Sequence, residues 1–465
     1  MGQIRFFLAL WVGKLLIALC RLAKTGGSSL PGRIALRVYP PLLARLSQQA
    51  SWGSIVISGT NGKTTTAWLL ASMMEAGGMR VIHNRTGANL IYGIASTFIA
   101  HSSPKGRLEA DVNILECDEA AFDGIAQSVR PRAAVVTNFF RDQLDRFGEL
   151  EHTINMVAKG LAWVHCDGFV VLNADDPAVA SLVDRAPART VFYGVEDTGA
   201  GAKHTSDAAE SRWCSSCGVR YQYERYYLAH LGVFYCPQCQ RRRPPVDLGL
   251  TGRTRTKETG AMLSFYYQGH SFDAHLPIRG LYNGYNALAA AATALSMGVT
   301  PGTVAEALGQ SRASFGRMEH LEVKGRQVIV ALIKNPAGCN EVLKTVLEDP
   351  GPLHLLIAIN DQLADGTDIS WLWDADFEWL AHAIARIDLC LASGQRALDM
   401  ALRLKYAGMA GPKLEWEPEL SRALEKALEA VPIGGTLYVL PTYTAMLALR
   451  LELNRAGYGR RFWEV

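Results

Sequence analysis

Ser58-Gly59-Thr60-Asn61-Gly62-Lys63-Thr64-Thr65-Thr66 follows the apolar run Ser54-Ile55-Val56-Ile57 and leads into Ala67-Trp68-Leu69-Leu70-Ala71-Ser72-Met73-Met74. The first run reads as a buried strand and the last as a helix. Strand, glycine loop and helix N-terminus together make a phosphate cradle. Glycines let backbone N–H groups close around phosphate oxygens, and the helix dipole favours their charge. In such a loop Lys63 reaches the outer phosphates and Thr64 holds Mg²⁺. A strict P-loop has glycine at the position held here by Ile57; this chain has its glycine at 59, so the loop is a variant.

Strand and helix patterns alternate around this loop. Strands are expected at 54–58, 80–83, 112–116, 133–137 and 168–172, and helices near 63–76, 119–127, 151–161 and 177–183. This alternation predicts a parallel sheet covered on both faces. A hairpin follows at 262–277 and an alanine-rich helix at 283–297. A second alternating α/β segment has strands near 327–332, 353–358, 387–391 and 436–440. The expected organisation is an N-terminal apolar helical segment (1–50), a central domain (51–312) with an insertion at about 200–250, and a C-terminal α/β domain (313–465).

A chain of 465 residues predicts two or three domains, and 49% apolar against 20% charged residues allows sizeable cores. The formal charge of +3 does not mark a nucleic-acid binder. Cys20, Cys117, Cys166, Cys339 and Cys390 are scattered, as expected for free thiols in a reducing compartment. The remaining four cysteines stand as Cys214-x-x-Cys217 and Cys236-x-x-Cys239, 18 residues apart. That is the layout of a zinc ribbon with closed, structural Cys₄ coordination; four reduced thiols or two disulfides are the alternative. Tyrosines and arginines between the pairs are expected to pack a small metal module; nucleic-acid binding is the lesser reading. The apolar stretch Phe6–Leu19 is interrupted by Lys14 and ended by Arg21 and Lys24. It is too short and charged for a spanning helix and predicts a helix packed on the body or lying on a membrane surface.

Two further segments end strands beside the cradle. Asn113-Ile114-Leu115-Glu116-Cys117-Asp118-Glu119 supplies carboxylates for Mg²⁺, with Glu116 first and Asp118 and Glu119 behind it. In Val135-Val136-Thr137-Asn138-Phe139-Phe140-Arg141-Asp142-Gln143-Leu144-Asp145, Asp142 and Asp145 are candidates to orient Lys63 or a metal.

Together these motifs resemble the Mur ligase superfamily, whose members use ATP to join an amino acid or amine to a carboxylate. The matching elements are Gly59-Thr60-Asn61-Gly62-Lys63-Thr64, the strand-end Glu116, the segment 137–145, Leu172-Asn173-Ala174-Asp175-Asp176-Pro177, Asn283 and Asn286 with the alanines after them, and Gly316-Arg317-Met318-Glu319. The resemblance implies a P-loop central domain of Mur ligase type and a Rossmann-like C-terminal domain. It also implies ATP held by residues 59–65 with Asn138, Asn283, Asn286 and Arg317. Departures are equally informative. Gln143 stands where the peptide ligases have a histidine that helps hold a second metal. Ala331-Leu332-Ile333-Lys334-Asn335-Pro336 stands where they read Asp-Tyr-Ala-His-Asn-Pro, so the pocket for an incoming amino acid is rebuilt.

These changes, with the Cys₄ insertion, are similar to the amidating branch of the superfamily, whose second substrate is ammonia. That resemblance implies amidation of the D-glutamate α-carboxyl in the lipid II stem peptide, in the cytoplasm at the inner face of the plasma membrane. It further implies a heterodimer with a separate class I glutaminase subunit. An acidic stretch, Ala364-Asp365-Gly366-Thr367-Asp368-Ile369-Ser370-Trp371, would complete that partner's catalytic triad, with Asp365 first and Asp368 as the alternative. Two readings compete. One is a folylpolyglutamate- or cyanophycin-type ligase, expected to lack the zinc module; the other is a zinc-ribbon ATPase that binds nucleic acid.

Overall fold

Short runs rich in Ile, Val and Ala form strands, and those buried on both faces lie at the centre of a parallel sheet. In the computed structural model, which describes residues 2–22, 29–84, 88–140, 150–202, 213–256, 260–311, 316–409 and 411–458, the first such strands are β1 (Gly53–Ser58), β2 (Val81–His83), β3 (Val112–Glu116), β4 (Ala133–Val136), β5 (Phe169–Asn173) and β6 (Arg189–Val195). The chain then leaves the sheet to form a separate antiparallel hairpin, β7 (Gln222–Leu228) and β8 (Leu231–Tyr235). It returns as β9 (Leu248–Arg255), β10 (Ala261–Tyr267) and β11 (His270–Leu276). The nine-stranded order is β11-β10-β9-β6-β5-β4-β1-β3-β2, parallel from β2 to β9 and antiparallel beyond. β9 therefore belongs to the main sheet, and the inserted hairpin lies wholly between β6 and β9.

A second sheet follows, built from β12 (Arg317–Val323), β13 (Arg326–Ala331), β14 (Leu353–Ala358), β15 (Ile387–Ser393), β16 (Leu414–Glu417) and β17 (Thr436–Pro441). Its order is β12-β13-β17-β14-β15-β16, parallel except for the β12–β13 hairpin. Open parallel sheets present ligands at the carboxyl ends of their strands. The loops carrying the residues singled out above leave from such ends: 59–62 after β1, 117–119 after β3, 137–140 after β4, and 359–369 after β14.

Helices cover both faces of the main sheet. On one face the helix Lys63–Ala76 packs with the alanine-rich helix Leu281–Ser296, whose Ala287 to Ala292 are fully buried. Small side chains there allow close helix approach. On the other face Phe6, Leu10, Leu42, Leu43 and Leu46 share a core with Val56, Phe98 and Leu115. The N-terminal helix Gly2–Leu22 thus lies along the body, buried through Phe6, Ala9, Leu10 and Gly13. Lys14 ties it down, donating from Nζ to the carbonyls of Ile99 (2.9 Å) and Ser102.

Candidate functional site

Ile57 is fully buried at the level of Glu116 on β3 and Val135 on β4, so the strand is still core where a strict P-loop would begin its turn. The turn comes two residues later. Gly59 has φ +119, and a Cβ there would meet Thr137 Oγ1 at 2.4 Å. Gly62 has φ +89, and a Cβ would meet Asn286 Oδ1 at 2.0 Å. Both positions require glycine on conformation and on space.

Asn138 shapes the loop from β4. Its Oδ1 accepts from Asn61 N–H at 2.9 Å, its Nδ2 donates to Asn61 O at 3.0 Å, and its carbonyl accepts from Thr60 N–H at 2.8 Å. Thr60 Oγ1 donates to Phe140 O (3.1 Å) and accepts from Phe140 N–H (3.1 Å). The loop is thus held open before any ligand arrives.

Lys63 begins the helix and is buried. Its Nζ donates to Gly59 O at 2.5 Å and stands 3.1 Å from both oxygens of Glu119. Thr64 Oγ1 donates to Glu116 Oε1 at 3.1 Å. Glu116 is fixed through its own backbone: Asn84 Oδ1 accepts from its N–H and Asn84 Nδ2 donates to its carbonyl, each at 2.9 Å. Burial pushes the carboxyls of Glu116 and Glu119 above the usual range, and Lys63 pulls both back down. Glu116, a buried carboxyl at a strand end with the Thr64 hydroxyl beside it, offers the oxygen donors a hard divalent cation takes next to a nucleotide. The residues therefore fit Mg²⁺.

Sequence reasoning ranked Glu119 behind Glu116. The two do different things: Glu116 faces Thr64, and Glu119 holds the Lys63 ammonium. Asn84 went unremarked; a polar residue directly after a short strand was its only signal. Asp142, Gln143 and Asp145 lie outside the described residues.

A cleft of about 760 Å³, open solvent at its mouth included, adjoins the loop. Asn61, Gly62, Asn138 and Asn286 line it from the first domain, and Arg317, Lys334 and Glu341 from the second. Asn286 Nδ2 donates to Asn283 Oδ1 (3.2 Å), whose own Nδ2 holds Arg279 O (2.7 Å). Burial lowers the Arg317 pKa, with Glu116 opposing that shift. In the rebuilt segment, Asn335 caps the helix Pro336–Leu347 through Gly338 N–H (2.8 Å) and donates to Asn61 Oδ1 (3.2 Å). This amide pair joins the second domain to the loop.

The four paired cysteines converge. Cys214 Sγ lies 3.5 Å from Cys239 Sγ and Cys217 Sγ 3.4 Å from Cys236 Sγ, with all four sulfurs within 4.8 Å of one another. A Zn–S bond of about 2.3 Å sets tetrahedral sulfurs about 3.8 Å apart, so the tetrad fits a zinc ion.

Asp365 and Asp368 do not line the cleft. Asp365 is buried and committed: its Oδ1 accepts from Thr444 N–H (2.7 Å), and its Oδ2 from Thr444 Oγ1 (2.5 Å) and Gln362 N–H (3.2 Å). It tethers the loop to the start of the helix Tyr443–Arg455. Asp368 is half-exposed and accepts from Ser370 N–H (2.8 Å) and Oγ (2.9 Å).

With this geometry in view, two sequence profiles match: the Mur ligase middle domain over residues 57–234 and the MurT ligase C-terminal domain over 332–446. The subunit MurT of lipid II isoglutaminyl synthase (glutamine-hydrolyzing) from Staphylococcus aureus is 33% identical over 455 residues, covering 98% of this chain and 99% of that one. Its namesake from Streptococcus pneumoniae is 35% identical over 426 residues, covering 91% and 92%. Among solved structures, MurF from Acinetobacter baumannii shares the fold, with a TM-score of 0.66 at 17% identity over 91% of this chain and 80% of that one.

Proposed function

This chain belongs to the MurT family of Mur ligases, and from that premise we propose that it is the ATP-dependent ligase subunit of a lipid II isoglutaminyl synthase. The observation that carries the reading is the convergence of Lys63, Thr64 and Glu116 at the ends of β1 and β3, beside a cleft completed by Arg317 and Lys334. The experiment is conversion of the stem-peptide glutamate of lipid II to the carboxamide by the purified complex.

The reaction divides into two steps. The α-carboxylate of D-glutamate attacks the γ-phosphorus of ATP; the bond to the β,γ-bridging oxygen breaks, leaving an acyl phosphate and ADP. Ammonia then adds to the acyl carbon, phosphate departs, and one proton is lost. Lys63 leaves Glu119 and the Gly59 carbonyl to meet phosphate oxygens as their charge shifts. The preformed loop amides need no reorganisation at that moment. Glu119 is the resting partner of the buried Lys63 ammonium. Thr64 and Glu116 would hold Mg²⁺, which when bound neutralises phosphate charge. Cys214, Cys217, Cys236 and Cys239 would hold a structural Zn²⁺.

Ammonium dominates over ammonia at neutral pH, so a glutaminase partner supplying ammonia directly is part of the proposal. The second domain offers a surface for it. The helix Ala397–Tyr406 exposes Leu398, Leu402 and Tyr406 at four-residue spacing. Trp373 lies against Tyr406, with 5.7 Å between ring centroids. Arg396 joins this helix to the acidic loop by an ion pair with Asp361 at 2.8 Å. An apolar stripe beside half-exposed Asp368 suits a partner whose catalytic histidine needs a carboxylate from outside. Asp368, rather than Asp365, is therefore the proposed triad member.

Lipid II is held in a membrane, and the N-terminal helix suits that surface. Ile4, Leu8, Trp11, Leu15, Leu19 and Leu22 are 50–80% exposed, and their four- and three-residue spacing puts them on one stripe. Residues 1–50 carry seven Lys or Arg, and the first acidic residue of the whole chain is Glu75. Such a helix lies in the interface of an anionic leaflet, where each nearby Lys or Arg contributes about 1 kcal/mol. The opposite face, docked through Phe6 and Leu10, keeps it parallel to the body. The double variant Leu8→Glu/Leu15→Glu is expected to lose most flotation with phosphatidylglycerol vesicles; flotation equal to the parent's would remove this part of the proposal.

A further inference from the structure

The inserted hairpin does more than carry the cysteine tetrad. Its tip residues Leu228 and Leu231 are 4% and 1% exposed, and they line the same cleft as Gly62 and Asn138. The tip is seated on the central domain by several contacts. His230 packs on Phe140, with 4.7 Å between ring centroids, and its Nε2 lies 3.4 Å from Asp176 Oδ2. Gly232 N–H donates to Asp175 O at 2.9 Å. Where the insertion returns to the sheet, Arg243 Nε donates to Asp175 Oδ1 at 2.5 Å and its Nη1 to Glu196 Oε1 at 2.6 Å. Asp175 Oδ2 also accepts from Tyr285 OH at 2.7 Å, and Tyr285 is itself in the cleft wall. The buried acid pair Asp175-Asp176 thus serves as the seat of the inserted hairpin.

The cleft lining offers two kinds of surface. Gly62, Arg317 and Lys334 offer N–H groups and cations, the partners of phosphate. Phe140, Leu228 and Leu231 offer apolar surface, and Asn138 and Asn286 offer side-chain amides to the same cleft. A flat heteroaromatic base needs apolar faces and a few amide partners at its rim. We propose that the hairpin tip, Leu228 to Leu231, is the wall against which the base of the bound nucleotide packs, so that closure of the cysteine tetrad sets nucleotide affinity. Leu231 stands five residues before Cys236, about 17 Å along an extended strand. β7 and β8 are a two-stranded ribbon, marginal by itself and steadied by the tetrad at its far end. By linkage, a bound nucleotide steadies the tetrad in return.

This inference rests on the reading that the cleft takes ATP, and the test separates the two. Binding of Mg·ADP and of inorganic tripolyphosphate, which has no base, is measured by calorimetry on the full-length protein, with zinc counted per chain. Leu231→Ala is expected to weaken Mg·ADP about tenfold or more, with tripolyphosphate affinity and zinc content unchanged. Cys239→Ser, at an exposed ligand, is expected to lower zinc content and weaken Mg·ADP in the same direction. Unchanged Mg·ADP affinity in both variants overturns the inference while leaving the ATP reading intact. Equal weakening of both probes in Leu231→Ala also overturns it, because the wall would then serve the phosphates or the fold. A parent protein that binds neither probe overturns the ATP reading itself.

Discussion

Asp368→Asn is expected to cut glutamine hydrolysis by the assembled complex about ten-thousandfold while Mg·ADP binding by this chain persists. An aspartate that orients a catalytic histidine sets its tautomer and stabilises the imidazolium, and an amide in its place does neither. The magnitude follows because the asparagine keeps the shape but loses the charge and one acceptor oxygen, so the histidine tautomer is no longer fixed. Asp368 is placed for this by its exposure and by its hydrogen bonds to Ser370, which aim the carboxylate without burying it. In this assignment Asp365 positions the loop. Its three acceptor contacts hold the loop on Thr444 and Gln362, and Asp365→Ala is expected to cost about 1–2 kcal/mol of stability. Release of glutamate from glutamine, measured beside thermal melting, separates the two roles. Normal hydrolysis in Asp368→Asn would return the triad role to Asp365 or remove it from the loop.

Lys63→Ala is expected to lower ATP-dependent amidation by about 10²–10³. The lysine is the one side chain in the loop that can follow charge from the γ-phosphate to the leaving oxygen. Removing it also strands Glu119, which is buried and paired with Lys63 at 3.1 Å. Breaking a buried pair on one side costs about 3–5 kcal/mol, so lost activity in the single variant mixes chemistry with folding. Lys63→Ala/Glu119→Gln removes both charges. Its melting temperature is expected to recover toward the parent's while amidation stays lost. Recovered amidation would show that Lys63 acts only as a structural counter-ion.

Much of this arrangement was legible in the sequence because chemistry restricts it locally. A phosphate loop needs glycine at two positions within four residues, and Gly59 and Gly62 occupy conformations and spaces that exclude any other side chain. Four cysteines in two close pairs have few uses besides a metal. The largely apolar, buried strands β1, β3, β4 and β5 announce a sheet buried on both sides. Less legible were strands whose patterns are diluted by exposure. β6 opens on exposed Arg189, β9 ends in exposed polar residues, and β16 reads Leu-Glu-Trp-Glu at a sheet edge. Roles set by long-range contacts were hidden altogether. The difference between Asp365 and Asp368 depends on Thr444, 79 residues away from Asp365. That Leu228 and Leu231 reach the nucleotide cleft depends on the seat at Asp175 and Asp176, which the motif 172–177 does not disclose. The N-terminal stripe lies between: its spacing is in the sequence, but which face is spare appears only once Phe6 and Leu10 are buried.

At the centre of the proposed function stands amidation of a carboxylate through its acyl phosphate. The direct test incubates this chain and its co-purified glutaminase partner with lipid II, ATP, Mg²⁺ and glutamine labelled with ¹⁵N in the side-chain amide, and analyses the stem peptide by mass spectrometry. The account predicts one ¹⁵N-labelled carboxamide on the D-glutamate α-carboxyl, formed with one ADP per amide and absent when ATP is left out. ATP consumption with the stem glutamate left as a free carboxylate would contradict it.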